Sequence, residues 1–165
     1  MNATMGRRVE IVYQDKRWKE LGLKNLARPA ALAVLDELGL GRHPISVLAC
    51  DDTRIAVLNG QFRGKPRATD VLSWPAADLA ALAGGGLPDR PQKGAPLGDI
   101  ALAWETCTME ATGQGKRLAD HVSHLMVHAV LHLLGYDHLR PEDAALMEGL
   151  EVRILAGMGV SDPYQ

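Results

Sequence analysis

Aromatic residues are scarce: they make up 4% of the 165 residues, and only one of them is phenylalanine. So few rings offer little platform for stacking bases, and any preference among nucleic-acid sequences would have to come from partners or strand shape. Cysteine is nearly absent too. Cys50 and Cys107 stand far apart and belong to no paired-cysteine motif, so both are expected as reduced, buried small hydrophobes and not as ligands or a disulfide. No apolar run approaches the roughly 20 residues that span a bilayer, and Met1 to Tyr13 lacks the apolar core of a signal peptide. The expected location is the cytoplasm, with no membrane partner. Neither sign of charge dominates, since 18 Lys and Arg against 20 Asp and Glu leave a net charge of -2. That balance argues against a protein that coats nucleic acid by bulk electrostatics.

What is present is an ordinary globular composition, 47% hydrophobic and 23% charged, at a length that suits one domain over residues 1–165. Val9 to Tyr13 reads as a first strand, Leu26 to Leu38 as a helix closing on Gly39, and Pro44 to Cys50 as a buried strand. Asp51, Asp52 and Thr53 are N-cap candidates for a helix running toward Gly60. Val71 to Trp74 and Asp99 to Trp104 are two further short strands. Between them, Gly84-Gly85-Gly86 and the prolines at 75, 88, 91 and 96 predict a mobile loop over about 76–97, with room for one helical turn in Ala76 to Ala83. This stretch reads as length variation without chemistry. Arg117 to Leu134 is a strongly apolar helix expected to be central, and Pro141 suits the first turn of a last helix reaching Ala156.

The chemistry is concentrated in one segment, His128-Ala-Val-Leu-His132-Leu-Leu-Gly135-Tyr-Asp-His138. Histidines four apart on a helix lie on one face, and a glycine stop at Gly135 allows a left-handed reversal that swings His138 back toward them. Three imidazoles with one position open form the ligand set of a catalytic zinc, one ion per chain. His124, one turn upstream, and His121 before it are rivals. A row of His124, His128 and His132 spans about 12 Å at 1.5 Å per residue, too far for one ion, which leaves His124 as a buried or supporting residue. The zinc-peptidase pattern H-E-x-x-H would require a glutamate at the position of Ala129, so a peptidase loses its general base. Elsewhere, Arg63-Gly64-Lys65-Pro66-Arg67 reads as an exposed turn, able to meet a phosphate or simply a solvated charge cluster.

Three segments together, LNGQFRGKPRATDVLSWP (58–75), LGDIALA (97–103) and HLMVHAVLHLLGYDH (124–138), resemble the motifs of the YbeY family of metal-dependent endoribonucleases, over roughly Val9 to Gly157. Ala129 and Trp74 stand where that family usually has glycine and phenylalanine, and the loop before Leu97 is longer than typical. The resemblance implies an α+β fold, a small mixed four-stranded sheet packed by helices in a zincin-like arrangement. It implies zinc on His128, His132 and His138, and Arg63 as the functional arginine facing the metal, a planar fork suited to a phosphodiester. Asp70 and Ser73 are expected as turn, cap or supporting residues, and Asp137 as a residue that orders the backbone carrying His138 or bonds a ligand imidazole. The implied activity is zinc-dependent cleavage of single-stranded RNA in maturing the 3' end of small-subunit ribosomal RNA. The implied partners are that RNA and the small ribosomal subunit with its proteins, not DNA. The alternatives are a zinc-braced ribosome-associated binding factor without catalysis and a zincin-like hydrolase of another substrate.

Overall fold

The computed structural model describes residues 9–165; residues 1–8, on which much of the signal-peptide expectation rests, lie outside the described residues. The element order is β1 (Val9–Tyr13), α1 (Arg17–Leu21), α2 (Lys24–Glu37), β2 (Ile45–Cys50), α3 (Asp52–Arg63), β3 (Val71–Pro75), β4 (Gly98–Ala103), α4 (Trp104–Gly113), α5 (Leu118–Leu133) and α6 (Pro141–Gly157). The sheet runs β1-β2-β4-β3. The first three strands in that order are parallel, with Val9 opposite Ile45 and Ile45 opposite Gly98. β3 closes the other edge antiparallel to β4, Val71 facing Leu102. This is the mixed α+β sheet that the family resemblance implied.

One face of the sheet carries the main core. α5 lies over it, and Met126, Val127, Val130, Leu131 and Leu133 are almost wholly buried. A helix buried on nearly every side must be apolar nearly all round, which is the composition of this segment. α2 packs beside it through Ala27, Ala30, Ala31 and Val34, small side chains that allow close approach. The opposite face of the sheet holds a smaller cluster in which Ile55 and Leu58 of α3 cover Cys50, Leu72, Ala101 and Ala103. Both cysteines are buried and unpaired.

Two local expectations are corrected. α3 does not stop near Gly60 but runs one more turn, so Arg63 is its last residue and not part of an open turn. The helix stops at Gly64, whose N–H bonds the Gly60 carbonyl and whose left-handed φ of 68° lets the Lys65 N–H reach back to the Asn59 carbonyl, while Gly60 lies within the helix with Pro66 packed 3.1 Å from where its Cβ would stand. The segment between β3 and β4 contains no helical turn at 76–83. It is nevertheless anchored: Arg90 donates to the Leu38 and Gly39 carbonyls beyond the end of α2, and the Gly85 N–H donates to Asp143 at 2.8 Å. Those contacts replace the regular structure that its glycines and prolines forbid.

Candidate metal centre

α5 sets the site. His128 and His132 sit one turn apart on its half-exposed stripe, with ring centroids 4.5 Å apart. The helix ends at Leu133, and Gly135 at φ 100° turns the chain, its N–H bonding the His132 carbonyl while the Tyr136 N–H bonds that of Leu131. This reversal brings the His138 ring to 5.3 Å from His128 and 5.0 Å from His132. Asp137 fixes the approach by accepting the His138 N–H at 2.7 Å. One nitrogen from each of the three rings lies within 4.8 Å of the others.

The donor chemistry fits a divalent ion. His132 Nδ1 lies 2.9 Å from the Tyr136 carbonyl, which can only accept, so Nδ1 carries the proton and Nε2 keeps its lone pair. His128 Nδ1 lies 3.0 Å from the Glu151 carboxylate, with the same consequence. Burial, then the neighbouring His128 and His138, lowers the His132 pKa to about 4, so that ring is neutral at ordinary pH. Three imidazoles, two of them with the far nitrogen committed, suit zinc, and equally copper, nickel or iron by ligand type.

Behind the rings stands a residue that the sequence reading did not single out. Glu151 of α6 is 0% exposed and accepts from His124 Nε2 at 2.7 Å, from His128 Nδ1 at 3.0 Å and from the Tyr164 hydroxyl at 2.6 Å. Burial alone would raise its carboxyl, but the hydrogen bonds from His124, His128 and Tyr164 outweigh it and bring the pKa down to about 2. His124, His128 and Glu151 also lie close enough to hold an ion. Both oxygens of Glu151 are already engaged with donors, however, which leaves the three-histidine group as the one with free lone pairs. The only sequence signal was an acid among the apolar residues Met147, Leu150, Ile154 and Leu155.

Arg63 ends α3. Its guanidinium donates to the Ser73 carbonyl at 3.2 Å, and it shares a cavity of about 390 Å³ with Ser73, His132, Tyr136 and Asp137. Residues 77–80 form part of the wall, so the loop expected to be mere length variation shapes the site. Asn59, 5% exposed, holds the neighbouring turn by donating to the Arg67 carbonyl at 3.0 Å. Asp70 stands elsewhere: its carboxylate accepts the Val71 N–H at 2.6 Å and gathers with Glu110 and His121, away from the three-histidine group it was expected to support.

Comparison with known proteins agrees with this geometry. The family model described as Endoribonuclease YbeY matches residues 9–159. The Endoribonuclease YbeY of Ruegeria pomeroyi is 53% identical over 162 residues, covering 94% of this chain and 97% of that protein. That of Paracoccus denitrificans is 51% identical, covering 94% and 89%. The fold is that of the solution structure of TM1509 from Thermotoga maritima, with a TM-score of 0.57 at 22% identity, covering 95% and 99% of the two chains. With a family model spanning nearly the whole chain and relatives above half identity along it, the protein belongs to the YbeY family.

Proposed function

We propose that this chain is a metal-dependent endoribonuclease that cuts single-stranded RNA, its described residues acting as one domain, with His128, His132 and His138 holding one zinc ion and Arg63 gripping the scissile phosphate. The single observation carrying this reading is the cavity that Arg63 shares with His132, one member of the three-histidine group. A cation pocket opposite an always-charged planar fork binds a phosphodiester from two sides. The relatives named Endoribonuclease YbeY support the reaction class.

When bound, the zinc supplies Lewis-acid polarisation at a phosphoryl oxygen. The protein's own groups do the rest. The Ser73 carbonyl steers the Arg63 guanidinium, which neutralises charge that grows on the phosphate as the reaction proceeds. The Tyr136 carbonyl and Glu151 hold the proton of each of two imidazoles on the far nitrogen, fixing ring orientation. Asp137 fixes the backbone from which His138 projects. The biological substrate within this reading is the 3' end of small-subunit ribosomal RNA, met on the small subunit with its proteins in the cytoplasm.

The test is cleavage of a ribosomal RNA carrying a 3' extension by metal-quantified wild type, Arg63→Glu and His132→Ala. Wild type cuts in single-stranded regions; Arg63→Glu stays folded and zinc-loaded but loses about 100-fold to 1,000-fold in rate, the scale of removing one electrostatic donor. His132→Ala loses both metal and cutting. Undiminished cutting by Arg63→Glu removes Arg63 from the site, and no cutting by zinc-loaded wild type leaves a binding factor in place of an enzyme.

A further inference from the structure

Asp70, immediately before β3, Glu110 of α4 and His121 of α5 converge although they belong to three separate elements, and one ligand-type atom from each lies within 4.8 Å of the others. His121 is 4% exposed, with Nε2 2.9 Å from Glu110 Oε1. Its other nitrogen, Nδ1, is buried and has no hydrogen-bond partner among the described residues. Asp70 is held in orientation through Oδ1, which accepts from Val71 and Thr69. Among the described residues, neither carboxylate pairs with a Lys or Arg.

Two acids without a basic partner form an incomplete arrangement. Burial, reinforced by Asp70 and then Asp52, lifts the Glu110 carboxyl to about 7. Burial also holds His121 below its ordinary pKa, against the opposing charge of Asp70. Either a shared proton or a cation must relieve the repulsion. An imidazole beside two carboxylates is a mixed N and O donor set, which suits a borderline divalent ion such as Mn²⁺.

We propose that Asp70, Glu110 and His121 form a second divalent-cation site, distinct from the three-histidine group. His121 and His128 are seven residues apart on α5, about 10 Å along the axis, so a single ion cannot serve both. The two sites line one face of the same helix, with His124 between them.

Zinc-loaded wild type titrated with Mn²⁺, read by loss of the free-ion electron paramagnetic resonance signal, should take up one Mn²⁺ per chain without releasing zinc. Zinc retention is expected because imidazole sites prefer zinc to manganese. Asp70→Asn and Glu110→Gln, checked for folding by circular dichroism, should each weaken that uptake at least about tenfold, while Asp120→Asn, a nearby carboxylate outside the cluster, should not. Mn²⁺ should also broaden the His121 ring-proton resonances of wild type, a readout that needs no substitution. No uptake by zinc-loaded wild type, or uptake without broadening at His121, overturns the proposal and leaves the three groups sharing a proton.

Discussion

A divalent cation needs a neutral imidazole, and His132 is held neutral by burial and by its two histidine neighbours. Unfolding returns the ring to an ordinary value of 6.5, so between pH 6.5 and about 4 the unfolded chain takes up a proton that the folded chain refuses. Stability of the metal-free protein should therefore be fully present above pH 6.5 and fall with pH through that window, by up to about 3 kcal/mol from this group. Urea unfolding at pH 7 and pH 4.5 checks it; His132→Ala should flatten the difference, and an unchanged slope in that variant assigns the effect to other groups. Glu151 acts through the rings it orients. Glu151→Gln removes the carboxylate that fixes His128 and should weaken zinc binding about 10-fold to 100-fold in chelator competition. Tyr164→Phe removes one of several donors to the same carboxylate and should cost only about 1 kcal/mol of stability. The three histidines could be read from spacing alone. Glu151 could not, because the apolar residues around it mark only a buried stretch of helix, while the histidines it pairs with belong to another element.

The turn after α5 is where one element's ending becomes chemistry. Gly135 has φ +100°, and a Cβ there would stand 2.7 Å and 2.8 Å from the carbonyl carbon and oxygen of Leu79. Gly135→Ala therefore combines left-handed strain of about 1–2 kcal/mol with a backbone clash. It should destabilise by at least about 2 kcal/mol and loosen zinc binding, since His138 hangs from this turn. Gly64→Ala provides the contrast. It has φ +68° but nothing within 4 Å of its Cβ, so it should cost about 1 kcal/mol and leave zinc affinity unchanged. Denaturant melts and metal competition on both variants separate strain from geometry; equal losses of zinc affinity would show that the Leu79 contact is irrelevant. Strands and helices were largely legible in the sequence, because periodicity and glycine stops are local. The end of α3 was misplaced because Gly60 reads as a breaker, whereas its lack of a side chain serves the close approach of Pro66.

Across the whole molecule, the candidate metal centre ties the end of α5 to the segment that leads into α6. An ion bound only by the folded form stabilises by mass action, about 4 kcal/mol when free metal is a thousandfold above its Kd. Chelation should thus lower Tm by about 10 °C for a chain of this size, read by thermal unfolding with and without chelator. His132→Ala should melt low and show no response to chelator; a chelator response that survives in this variant places the stabilising ion elsewhere. By itself the sequence determined most of the strands and helices, the histidine face of α5 and the glycine reversal that delivers His138, because helical phase and turn conformation are set within a few residues; the mixed α+β class was implied by the resemblance of its motifs to the YbeY family. Only the tertiary structure decided that Arg63 lines one cavity with His132, that Glu151 and Tyr164 brace the histidines from behind, and that Asp70 joins Glu110 and His121 instead of the three-histidine group. Those pairings join residues from separate elements, and they are chosen by the burial of apolar faces on the two sides of the sheet, which no short stretch of chain encodes.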